Sequence, residues 1–125
     1  MKILAILICL VGFASSTYGV DCQSDETYGE VSKTELKKWI ADKKVFLVDV
    51  NSQESFDKNH IPGAIHFASQ KDFTQALPQD KGALVVAYCG GVMCTAWKKA
   101  AIAACKSNYT NVKHFKGGIT GWLKD

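Results

Sequence analysis

Two stretches of this chain, residues 45–50 (Val-Phe-Leu-Val-Asp-Val) and 83–88 (Ala-Leu-Val-Val-Ala-Tyr), are apolar at nearly every position. A strand with one wet face alternates apolar and polar residues, whereas a strand covered on both faces loses the alternation, which is the condition of a parallel sheet. Between and around these runs the pattern turns helical. Ser32 is a good N-cap with Glu35 three residues on, a capping box, and Leu36, Trp39 and Ile40 form an apolar stripe at helical spacing. Residues 52–59 read as a short polar helix, 71–77 as a helix stopped by Pro78, and 95–106 as an alanine-rich helix. Residues 64–67, after the Pro62-Gly63 turn, and 111–115 read as two further strands; Gly117-Gly118 ends the last one before a final turn around Trp122. Strands alternating with helices give an α/β fold, doubly wound, with a mostly parallel central sheet and helices on both faces. At 125 residues the chain holds one such domain.

The N-terminus is read separately. Lys2 precedes an apolar run over residues 3–13, and small residues at Ala14, Ser15, Ser16 and Gly19 suit cleavage after Gly19 or after Ser16. This is the layout of a secretory signal peptide, too short to span a bilayer comfortably. The expected organisation is a leader over 1–19, a polar and patternless N-terminal arm over 20–29, and a folded domain over 30–125, periplasmic or secreted and without a membrane attachment once the leader is removed. All basic side chains are lysines, and without Lys2 there are 14 of them against 12 acids, a net charge of about +2. So mild a balance, with no basic cluster, argues against nucleic acid as a partner.

The chemistry concentrates in Tyr88-Cys89-Gly90-Gly91-Val92-Met93-Cys94-Thr95. A buried strand delivers Cys89 into a glycine-containing loop, and a helix follows. In parallel sheets the ligand site lies beyond the carboxyl ends of the strands. Glycines let backbone N–H groups converge on one point, and a helix start adds further amides and the positive end of its dipole. Both lower the pKa of a thiol and stabilise an anion on or beside it. Such a thiolate suits attack on a sulfane sulfur.

Five segments, Asp49-Val50, Glu54-x-Phe56, His60-Ile61-Pro62-Gly63-Ala64-Ile65, Tyr88-Cys89 and Gly117-Gly118-Ile119-x-x-Trp122, resemble the rhodanese family in order and spacing across residues 31–122. The resemblance implies the doubly wound fold and a persulfide on Cys89. It also implies a cradle of amides from Gly90, Gly91, Val92, Met93 and Thr95. The partners it implies are a sulfur donor such as thiosulfate, polysulfide or a persulfide, and a thiol, cyanide or protein acceptor, with no cofactor and no resident metal. Two departures stand out. Where the family commonly has arginine at the end of the loop, this chain has Cys94, and where it often has arginine after the Asp-Val pair, this chain has Asn51. Thiosulfate is a dianion, so their absence weakens it as the preferred donor; Lys98 or Lys99 would supply only a point charge.

Cys94, five residues after Cys89, leaves two readings open. It is either a second catalytic thiol that attacks a Cys89 persulfide and leaves a disulfide, as in a persulfide reductase or dithiol exchange protein, or a half-buried thiol that replaces arginine for packing. A non-catalytic carrier of sulfur, or of a soft metal on Cys89, Cys94 and Cys105, is the third function class. A phosphatase of the Cys-x5-Arg type is excluded by the absence of arginine. Export permits a Cys22–Cys105 disulfide, although spacing alone does not decide it. His60 reads as holding its turn, Asp49 as an acceptor for a loop near the site, His114 as an ordinary strand residue, and Trp97 and Trp122 as core.

Overall fold

The computed structural model of the chain describes Gly12 and residues 19–125. The leader expected over 1–19 therefore lies, apart from Gly12 and Gly19, outside the described residues. Five strands, β1 (Gly29–Glu30), β2 (Phe46–Asp49), β3 (Ile65–His66), β4 (Val85–Tyr88) and β5 (Val112–His114), form one sheet in the order β1-β5-β4-β2-β3. Every pairing is parallel. Helices α1 (Lys33–Ala41), α2 (Gln53–Lys58), α3 (Phe73–Ala76), α4 (Trp97–Lys106) and α5 (Gly118–Leu123) connect and cover it.

Alternate strand residues feed two separate cores, and this is why β2 and β4 show no polar parity. Val48, Val85 and Ala87 pack with Ala100, Ala101, Ala104 and Trp97 of α4 on one face. Leu47, Val86 and Tyr88 pack with Leu36 of α1, Ile61 and Phe115 on the other. The alanines of α4 bring its axis close to the sheet. Ser32 caps α1 as expected, its Oγ accepting from the Glu35 amide at 3.1 Å. Ser52 caps α2 in the same way.

The segment at 21–29 differs from its reading as a patternless arm. Tyr28 is only 4% exposed and packs edge-on against Trp97, its ring centroid 5.8 Å away. Gly29 and Glu30 add a fifth strand beside β5. Cys22 is bonded to Cys105 of α4, with 5.7 Å between Cα atoms. Polar sequence hid these anchors because one aromatic ring and one disulfide, rather than a periodic stripe, hold the segment.

The connections leave β2 and β4 in opposite directions, β2 running outward to β3 and β4 to β5. Ligand crevices in open parallel sheets form at such a divergence, beyond the carboxyl ends of the two strands. Cys89 follows β4 and Asn51 lies two residues after β2, so both belong to this crevice.

Candidate active site

Cys89 is set at the crevice by the fully buried strand β4 and is itself 2% exposed. Beneath it a polar post fixes the strand ends. The Tyr88 hydroxyl donates to Asp49 Oδ2 at 2.7 Å and accepts from the Ile61 amide at 3.0 Å. Burial, reinforced by the Asp49 carboxylate, pushes the Tyr88 hydroxyl far above an ordinary phenol, so it stays protonated and keeps donating. Asp49 Oδ1 accepts from the Asn51 amide at 2.8 Å, and His66 Nε2 donates to the Asn51 carbonyl at 2.7 Å. Asp49 thus accepts from a loop at the site, as its position suggested, and His66 anchors that loop. His60 holds its turn through Nδ1, 2.8 Å from the Phe56 carbonyl, and stacks on the Phe56 ring.

The loop after Cys89 is oriented by α5. The Cys89 carbonyl accepts from the Ile119 amide at 2.9 Å and the Gly90 carbonyl from the Thr120 amide at 3.0 Å. Among the described residues all peptide bonds are trans, so the next amide in each plane points opposite to its carbonyl. The N–H groups of Gly90 and Gly91 therefore face away from α5. The Gly91 carbonyl accepts from the Cys94 amide at 3.0 Å, closing a turn. Among the described residues the amides of Gly90, Gly91, Val92, Met93 and Thr95 have no acceptor from the chain, while that of Cys94 is taken. Helix α4 begins at Trp97, later than expected, and no side chain caps it. The Lys98 and Lys99 amides donate to the Thr95 and Ala96 carbonyls, and the start of α4 brings the positive end of its dipole to the same loop. Val92 and Met93 are 63% and 90% exposed, so their side chains stand in solvent and only their backbone is available to the crevice.

Gly118 makes this approach possible. Its φ is +59°, and a Cβ there would lie 2.5 Å from the Cys89 carbonyl oxygen and 2.7 Å from Gly90 C and Gly91 N. Only glycine fits. The sequence marks Gly118 as a strand breaker and as part of a family segment; the missed signal is that a double glycine after the last strand starts a helix against the loop that follows Cys89. Asn51 was noted only for not being arginine. Its side-chain oxygen lies 3.7 Å from where a Gly90 Cβ would be, and its Nδ2 is buried without a partner.

The sulfur atoms of Cys89 and Cys94 are joined, with 6.2 Å between Cα atoms. Cys105 lies at the opposite end of α4, about 12 Å along the helix axis from Trp97, bonded to Cys22. The three-sulfur soft-metal site is therefore not assembled. Lys98 pairs with Asp25 of the arm and does not replace the missing arginine. A cavity of about 720 Å³ lies beside the Cys22–Cys105 bond and offers no unpaired sulfur.

A model of the rhodanese-like domain matches residues 32–125. The chain belongs to the rhodanese-like family. The rhodanese-like fold recurs in the human single-domain sulfurtransferase TSTD1, at 21% identity and a TM-score of 0.60 over 78% of this chain and 95% of that one. It recurs also in a rhodanese-like domain protein of Staphylococcus aureus, at 20% identity and a TM-score of 0.58 over 78% and 93%. In sequence, the probable adenylyltransferase/sulfurtransferase MoeZ of Mycobacterium tuberculosis is 30% identical over 99 residues, 75% of this chain. The chain spans about a quarter of the length of that relative, 24%. Among the described residues no helix is long and apolar enough to cross a membrane.

Proposed function

We propose that this rhodanese-like domain transfers sulfane sulfur, with Cys89 as the carrier. The observation that carries the proposal is the turning of the Cys89 and Gly90 carbonyls toward α5, which leaves the loop amides without acceptors beside a strand-end cysteine. The terminal sulfur of a persulfide is an anion at neutral pH, and donated amides in a nearly dry crevice favour it. A donor sulfur bonds to the Cys89 thiolate and leaves its former partner; a thiol, cyanide or protein acceptor then takes it. Asn51 Nδ2, buried and unpartnered, supplies a neutral donor at the rim. With a neutral amide where a guanidinium would suit a dianion, small organic persulfides are better donors than thiosulfate. The leader-like N-terminus and the Cys22–Cys105 bond support a site of action in the periplasm or outside the cell.

The test is an assay of sulfur transfer to cyanide or a small thiol, with polysulfide, a small persulfide and thiosulfate compared as donors. The proposal expects turnover with at least one donor, a preference for the small persulfide over thiosulfate, and complete loss in Cys89→Ser. Undiminished turnover by Cys89→Ser would refute it.

A further inference from the structure

Rhodanese-type transfer needs one sulfur, yet the crevice holds two. The loop from Gly90 to Cys94 folds back through the Cys94-to-Gly91 turn, so that Cys94 Sγ reaches bonding contact with Cys89 Sγ while the strand and α5 hold Cys89 in place. Cys94 is half-buried at the crevice and precedes the uncapped start of α4. We infer that Cys94 is a resolving thiol, and that the domain discharges its persulfide as hydrosulfide, acting as a dithiol-dependent sulfane reductase. This rests on the reading of Cys89 as the sulfur carrier.

The step balances as a thiol–disulfide exchange. The Cys94 thiolate attacks Cys89 Sγ, and a Cys89–Cys94 bond forms as the bond from Cys89 Sγ to the sulfane sulfur breaks. The electron pair of the broken bond leaves on the sulfane sulfur, which takes up the proton that Cys94 gave up on ionising and departs as hydrosulfide. The sulfane sulfur is reduced, and the two cysteine sulfurs are oxidised to a disulfide. An external dithiol then reduces that bond and becomes a disulfide itself, which returns both thiols. The described residues do not supply this reductant, because their other cysteines, Cys22 and Cys105, are bonded to each other at the far end of α4. A dithiol suits the task better than a monothiol. The mixed disulfide formed first has a neighbouring protein thiol ready to expel a monothiol, whereas a second thiol on the reductant finishes the reaction.

The test starts from anaerobic, fully reduced wild-type protein, Cys94→Ser and Cys94→Ala. Each is treated with one equivalent of polysulfide, and the extra sulfur mass, the sulfide released and the Cys89–Cys94 linkage are followed without added thiol. Wild type is expected to release sulfide at least about tenfold faster than either variant and to end with the two cysteines linked. Both variants are expected to take up sulfur on Cys89 and hold it. In steady state, wild type turns over faster with dithiothreitol than with glutathione at equal thiol concentration, and the variants lose that preference. Equal sulfide release by all three proteins, or a loaded wild type that keeps its extra sulfur, overturns the inference while leaving Cys89 as a carrier. If Cys89 gains sulfur in none of them, the transfer reading itself falls, and the resolving step with it.

Discussion

Replacing Gly118 by alanine strikes the contact that orients the loop after Cys89. Two costs add. A left-handed φ of +59° costs a residue with a Cβ about 1–2 kcal/mol. The new Cβ would also lie 2.5 Å from the Cys89 carbonyl oxygen and 2.7 Å from Gly90 C and Gly91 N, all backbone atoms that no rotamer change can clear. Overpacking of this kind costs roughly 1–3 kcal/mol, so the sum is roughly 2–5 kcal/mol of stability. Reaching ordinary contact needs the start of α5 and the loop to part by roughly 1 Å, a displacement able to cost about 100-fold in rate at a reacting centre. Gly63→Ala is the control. Its φ is +85°, yet a Cβ there meets nothing within 4 Å, so it carries the backbone strain without the clash. Urea unfolding should show both variants destabilised, Gly118→Ala the more. The rate of sulfur loading on Cys89, measured by mass on the folded proteins, should fall by about two orders of magnitude in Gly118→Ala and stay near wild type in Gly63→Ala. Equal loading rates in the two variants would refute the argument that α5 orients the loop.

Three further outcomes are expected. Tyr88→Phe leaves the buried Asp49 Oδ2 and the Ile61 amide without their shared hydroxyl, and should lower the unfolding free energy in urea by about 1–3 kcal/mol. Removing the Cys22–Cys105 bond by a double serine substitution opens a separation of 83 residues, and should cost about 2–4 kcal/mol in the same measurement while sulfur loading on Cys89 persists. His114 is buried against the Trp97 ring, and that burial lowers its pKa from 6.5 although Glu30 and Asp25 oppose the shift. The unfolded chain therefore binds the proton first as pH falls, so stability is complete above about pH 6.5 and declines below it until the lowered folded value is passed. His114→Phe should flatten that part of the urea-midpoint profile relative to wild type, and an unchanged profile would contradict the assignment.

Much of this arrangement was legible in the residues. Nearly continuous apolar runs at 45–50 and 83–88 require a sheet covered on both faces, and Ser32 and Ser52 mark their helix starts by short-range hydrogen bonds that depend on nothing distant. The strand-loop-helix context of Cys89 was legible for the same reason. What escaped depends on contacts far apart in sequence. Tyr28 looks like part of a polar tail until Trp97 is beside it, and Gly118 looks like a breaker until its neighbours prove to be Cys89, Gly90 and Gly91. Spacing allowed Cys94 to approach Cys89 without requiring it; the turn to the Gly91 carbonyl brings it in. Cys105 lies on the helix that follows the loop, but most of the length of that helix separates it from the site.

The most direct test of the central claim is the mass of the fully reduced protein after brief exposure to a sulfane donor, followed by peptide mapping under non-reducing conditions. Cys94→Ser is used so that the product is held. The account predicts one added sulfur atom, located on the peptide containing Cys89 and lost in the Cys89→Ser, Cys94→Ser double variant. Sulfur absent from that peptide, or unchanged by the loss of Cys89, would contradict it.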